Sequence, residues 1–325
     1  MRDLIVQRMR AVALVTLMAG GAIAAEPPAG SSPGNDAHRL VHDGHEREYL
    51  LHLPSQMRPH EPVPLLINLH EAGSDAASHR RQTGFDGLAE ISHFAVAYPQ
   101  AWRAKPRRPR AWNTGDCCGD AGAQGIDDVD FVRAMLDEIA ASTAIDRKRM
   151  YAVGMGNGAM LAHRLAIELP THIAAIAAVA GTPANADFTV TAPVAVLQIH
   201  SADDPHALYG GGSAALPNLR GKVLQAGVGK TLHRWTQANQ CAKYPKVHRD
   251  LFGALGTVTA GQRASLYGHP DCRRQKEVAL WRLDGFGHTW PGGWNTDARG
   301  VTKKRTDIID ASREIWLWLS RFAQD

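Results

Sequence analysis

From Val63 onward the chain alternates between short, almost wholly apolar runs and longer stretches whose apolar positions fall three or four apart. "VPLLINLH" (63–70) is a continuous apolar run, as expected of a strand covered on both faces. "TGFDGLAEIS" (83–92) follows with helical spacing, "FAVAYP" (94–99) is the next strand, and "IDDVDFVRAMLDEIAAS" (126–142) is an amphipathic helix with acids in its first turn. "RMYAVG" (149–154) and "NGAMLAHRLAIELP" (157–170) form a further strand and helix. "IAAIAAVAG", "PVAVLQIH" and "EVALWRL" add three strands, and Ile308, Ala311, Ile315, Leu319 and Phe322 mark a closing helix. Upstream, "RLVHDGHEREYLLHLP" (39–54) reads as an antiparallel strand pair about an Asp43-Gly44 turn. The pattern predicts an α/β fold, a mostly parallel central sheet with helices on both faces.

In such sheets chemistry gathers at the carboxyl ends of strands. Four segments stand there: "HEAGSDAAS" after the 63–70 run, Gly156 after the 149–154 strand, "SADDPHALYGG" after "PVAVLQIH", and "DGFGHTWPGG" after "EVALWRL". They read as an oxyanion-type loop, a nucleophile position with no side chain, an acid loop and a histidine loop.

These stretches carry a resemblance. "LHEAGS", "WNTGDCCGDAGAQGIDDVDF", "GMGNGAM", "HSADDPHALY" and "GFGHTWPGG" resemble motifs of the secreted polyhydroxybutyrate-depolymerase-like, feruloyl and acetylxylan esterases, the carbohydrate esterase family 1 group with the α/β-hydrolase fold. The resemblance runs from about Leu51 to the C-terminus. It implies Asp204 as the triad acid, with Asp203 as a rival, and His288 as the base. It places the nucleophilic serine at Gly156, which has no catalytic atom. Asn157 would supply one oxyanion N–H, and the second would come from position 71, where the family has glycine and this chain has Glu71. That carboxylate either crowds the oxyanion site or turns to solvent with its N–H still usable. Ser74 and Ser201 are weak substitutes for the missing hydroxyl. Trp290, Trp112 and Tyr209, in or beside these loops, are candidate substrate-binding aromatics.

Composition narrows the setting. Residues 1–24 have a basic start, the apolar run "AVALVTLMAGGAIA" and a small-x-small cleavage site, as a signal peptide does, and residues 25–38 have linker composition. Residues 39–325 are expected to form a single domain, secreted or periplasmic, with no membrane-spanning stretch. The formal charge is +4 over the whole chain. Without residues 1–24, 33 basic residues face 31 acidic ones, too even a balance to argue for nucleic acid. Four cysteines suggest disulfides, with Cys241–Cys272 the favoured pair and the partner of Cys117 and Cys118 open. No zinc-ligand spacing surrounds them. No metal or cofactor is expected, and the sequence is silent on oligomeric state. The expected ligand is an ester-bearing polymer or a small aryl or acyl ester. Two readings follow: a carboxylic ester hydrolase impaired by the loss of its serine, or a pseudoenzyme that binds polysaccharide or polyester without turnover. Restoring serine at 156 alone is expected to revive activity wherever the rest of the site is intact.

Overall fold

The computed structural model describes residues 37–324 apart from 59, 116, 186, 218, 220 and 297–301. The expected signal peptide and residues 25–36 of the expected tail lie outside the described residues. Ten strands make one sheet: β1 (Ala37–His42), β2 (His45–His52), β3 (Val63–Leu69), β4 (Ala95–Pro99), β5 (Ile145–Met155), β6 (Ala175–Val179), β7 (Ala195–Ser201), and, further along the chain, β10 (Lys246–Phe252), β11 (Arg263–His269) and β12 (Val278–Asp284). Two short ribbons, β8 (Gly212–Ala214) with β9 (Val223–Gln225) and β13 (Trp294–Thr296) with β14 (Thr302–Lys304), stand apart from it. The helices are α1 (Ala76–Thr83), α2 (Phe85–Ser92), α3 (Gly119–Ala123), α4 (Asp128–Ser142), α5 (Asn157–Glu168), α6 (Val228–Ala238) and α7 (Ala311–Leu319).

The strand order is β1-β2-β4-β3-β5-β6-β7-β12-β11-β10. Pairing is parallel from β4 through β12 and antiparallel at both margins. The parallel strands β3, β4, β6 and β7 are buried at every position, which is why they read as unbroken apolar runs. One apolar layer packs α4, α5 and α6 on one face through residues such as Phe131, Leu161 and Trp235. The other packs α1, α2 and α7 through Phe85, Ala89 and Trp316.

The β1–β2 hairpin turns at Asp43 and Gly44, both with positive φ (48° and 73°), as a two-residue turn between right-twisted strands requires. Its first strand begins at Ala37, paired with Leu50, so the domain starts two residues before the expected boundary at 39. Helix α1 is missing from the sequence expectation because "AASHRRQT" has almost no apolar stripe. Its ends specify it instead: Asp75 accepts from the Ser78 N–H at 2.7 Å, and Gly84 closes it in the left-handed region. The antiparallel margin β10–β11 escaped for a similar reason, since β10 is largely exposed and carries no buried run.

Candidate active site

The four segments singled out above converge at the carboxyl ends of β3, β5, β7 and β12. Gly156 joins β5 to α5 with φ 53° and ψ −117°, a conformation in which a side-chain-bearing residue is strained and glycine is not. The sharp strand-to-helix turn of a nucleophile elbow is therefore present without a nucleophile.

His288 lies between two carboxylates. Its Nδ1 bonds Asp204 Oδ2 at 2.8 Å and Oδ1 at 3.0 Å, and its Nε2 bonds Glu71 Oε1 at 2.7 Å. Asp204 is buried and also accepts from the backbone N–H groups of His206 and Ala207, each at 2.8 Å. The rival Asp203 is committed elsewhere, accepting from the Ser201 hydroxyl and the Gly285 N–H. Asp203 thereby ties the acid loop to the histidine loop.

Glu71 takes neither of its expected orientations in full. Its side chain turns inward onto His288, and a Cβ placed on Gly156 would lie 2.9 Å from both its Cγ and its Oε1. The carboxylate thus occupies the volume that a serine side chain at 156 would need. The two departures from the family pattern are one rearrangement: the missing side chain at 156 makes room for the added one at 71. The position also suits an anion, since Gly156 caps the N-terminus of α5.

The electrostatics follow from this geometry. Burial alone would depress the His288 imidazole, but its hydrogen bonds to Asp204 and Glu71, with their charges, raise it to about 9. At neutral pH it is an imidazolium donating from both nitrogens and cannot act as a general base. Burial alone would raise the Asp204 carboxyl, yet the bond from His288 and the two backbone donors hold it below the usual carboxylate range.

Glu71 is aimed by its backbone. The Ala101 N–H donates to His70 Nε2 at 3.1 Å, so His70 Nδ1 carries the proton and donates to the Glu71 carbonyl at 2.8 Å. The Ser74 N–H donates to the same carbonyl at 3.1 Å. Burial drives the His70 imidazole down to about 4, keeping it neutral in this orienting role.

Trp112 and Trp290 do not serve as expected. Trp112 is 0% exposed, its indole N–H bonds the His70 carbonyl at 2.8 Å, and its backbone exchanges bonds of 2.6 and 3.1 Å with the Asn157 side chain. Trp290 is 1% exposed, bonds Ser312 Oγ at 3.0 Å and meets His79 and Phe85 edge-on. A ring face enclosed by the fold is not offered to a ligand, so both brace loops. Tyr209 is partly exposed and packs edge-on against His200. Asn157, named for its backbone N–H at the start of α5, also contributes its buried amide to hold the Trp112 loop.

Two supports were not anticipated. Buried Asp128 accepts from Arg47 at 2.6 Å and from the Asn113 N–H at 2.7 Å, linking α4 to β2 and the Trp112 loop. Its neighbour Asp127 caps α4 by accepting from the Asp130 N–H. The signal was the "DD" pair opening the helix: one acid serves as cap, and the other is buried. Cys241 pairs with Cys272 as expected, and Cys117 pairs with its neighbour Cys118. Among the described residues, no group of three or more His, Cys, Asp or Glu side chains could hold a metal ion, and no helix is long and apolar enough to cross a membrane.

The chain resembles known proteins along most of its length. The chain is 29% identical over 297 residues to NocK of Nocardia uniformis subsp. tsuyamanensis, covering 86% of this chain and 82% of that protein. It is 27% identical to feruloyl esterase B of Piromyces equi over 74% of this chain, but spans only 42% of that enzyme's length. Among solved structures, the acetyl xylan esterase from Aspergillus awamori superposes with a TM-score of 0.57 over 87% of this chain and 98% of its own, at 12% identity, which speaks for the shared α/β-hydrolase fold. The model of the Esterase PHB depolymerase family matches residues 47–220, more than half of the chain. With that match and the four-loop site in place, the chain belongs to the Esterase PHB depolymerase family.

Proposed function

We propose that this protein is an ester-hydrolase family member in which the serine acyl-enzyme route is closed, so that ordinary carboxylic esters are not turned over. The observation that carries this reading is the Glu71 carboxylate, which fills the space of the lost serine and pairs with His288 Nε2. In a serine esterase that nitrogen removes the nucleophile's proton. Here it is already protonated and engaged, and Gly156 has no hydroxyl to deprotonate. The neighbouring Glu71 charge also opposes an oxyanion at the N-terminus of α5. Asp204 keeps the acid's role of orienting the imidazole ring and stabilising its cation.

Relatives named for feruloyl ester and poly(3-hydroxyalkanoate) cleavage support a ligand of the same class, an ester-bearing polymer or aryl ester. The N-terminal signal-like segment and the Cys241–Cys272 bridge support a location outside the cytoplasm, where disulfides persist. The test is the wild-type protein with p-nitrophenyl acetate, a feruloyl ester and a fluorophosphonate probe. The reading predicts hydrolysis at background and no stoichiometric labelling. Turnover comparable with an active family member, or labelling of Ser74, would refute it.

A further inference from the structure

With the serine route closed, Asp204, His288 and Glu71 form a carboxylate–imidazolium–carboxylate array. Glu71 stands at the nucleophile's place, 2.7 Å from His288, and its side chain is 17% exposed, so it is reachable from solvent. A carboxylate is a poor nucleophile toward an ester carbonyl. The tetrahedral adduct would expel the better leaving group, which is the carboxylate itself, and return the starting ester. Toward a saturated carbon the outcome differs: displacement forms an alkyl ester of the glutamate, a stable covalent intermediate. The imidazolium Nε2–H beside Glu71 suits a leaving group that departs as an alkoxide and needs a proton.

We propose that Glu71 is a carboxylate nucleophile that opens epoxides, with His288 as the acid for ring opening and the base for hydrolysis of the resulting ester. This deepens the reading above, since it requires the serine route to be closed.

A Glu71 carboxylate oxygen bonds to a ring carbon, the C–O bond of the epoxide breaks, and its electron pair goes to oxygen, which takes the Nε2 proton of His288. Neutral His288 then removes a proton from water as that water attacks the carboxyl carbon of the Glu71 ester. The tetrahedral adduct collapses by breaking the bond between acyl carbon and alkoxyl oxygen, and the alkoxide takes the proton back from His288. Proton transfer from the Glu71 carboxyl to His288 restores the ion pair. The net reaction is epoxide plus water to diol, with no oxidant or cofactor. Asp204 steadies the ring while His288 alternates between its two charge states.

The test uses 4-nitrostyrene oxide with the purified full-length protein. In water enriched in oxygen-18, with protein in excess over probe, one labelled oxygen is expected in the Glu71 peptide, and the diol of the first turnover carries the glutamate's own oxygen. His288→Ala, which loses the acid for ring opening as well as the base for ester hydrolysis, should form diol and adduct only at background, and Glu71→Gln should accumulate no adduct. Because His288→Ala could fail to fold, the oxygen-18 readout on the wild-type protein stands independently of it. Diol formed without label in Glu71 would make Glu71 a base acting on water and overturn the proposal. Absence of both diol and adduct would overturn it as well, while leaving the closed serine route intact. Wild-type turnover of acyl esters, by contrast, would refute the underlying reading itself.

Discussion

At the scale of single residues, the site turns on a shared volume. Gly156 and Glu71 are 85 positions apart in sequence, and each taken alone reads as damage. A glycine removes the nucleophile, and a glutamate crowds an oxyanion loop. The sequence made both departures visible but not their contact, because side-chain direction at the end of β3 is set by the His70 and Ser74 bonds to the Glu71 carbonyl. Asp204 and His288 were legible because long motifs surround them. Trp112 and Trp290 were misjudged because an aromatic residue beside an active-site loop is equally suited to bracing it. Removing the Glu71 charge should lower the His288 pKa from about 9, since one of the interactions favouring imidazolium is lost. NMR titration of the ring in wild type and Glu71→Gln checks this, and an unchanged midpoint would mean that the pair is not formed in solution.

At the scale of elements, the site depends on α4 and on the loop that carries Trp112. Asp128 holds Arg47 and the Asn113 N–H in a dry environment. Removing one partner of a buried ion pair strands the other, at a cost of about 3–5 kcal/mol. Asp128→Ala is therefore expected to lose stability on that scale in denaturant titration, and a change below about 1 kcal/mol would contradict the anchoring role. The Cys241–Cys272 bridge spans 31 positions and ties the end of α6 to the segment before β12. Its removal by paired Ser substitution should cost about 2–4 kcal/mol through the greater freedom of the unfolded chain. Legibility at this scale followed burial. Strands buried on both faces declared themselves, while α1 and β10, specified by caps and by pairing, did not.

At the scale of the whole molecule, the protonation of the array couples to folding. A histidine whose folded pKa lies near 9 against an ordinary 6.5 binds its proton more tightly when folded, a difference of about 3 kcal/mol. That contribution is fully present below pH 6.5, declines as pH rises and is gone above about 9. Asp204 acts in the opposite direction at the acid end: its depressed carboxyl adds stability above the usual carboxylate range, which is lost on acidification. His206, its ring 5.3 Å from that of His288, and buried His200, 4.0 Å from Asp204, face the same group. Both are retained in Glu71→Gln, so the comparison isolates the Glu71 contribution. The stability difference between wild type and Glu71→Gln should shrink as pH rises through 9. A difference independent of pH from 6 to 10 would contradict the imidazolium assignment.

The central claim, that Glu71 stands in place of the serine, is tested most directly by esterase kinetics on a square of four proteins: wild type, Gly156→Ser, Glu71→Gly and the double variant. A serine at 156 must displace the Glu71 carboxylate from its place beside His288, so Gly156→Ser alone should stay near background, as should Glu71→Gly, which has no nucleophile. The double variant frees His288 Nε2 for the serine hydroxyl and should gain about 10³-fold or more toward p-nitrophenyl acetate. Full activity in Gly156→Ser alone would mean that Glu71 does not hold the site. An active wild-type protein would place the ester chemistry elsewhere.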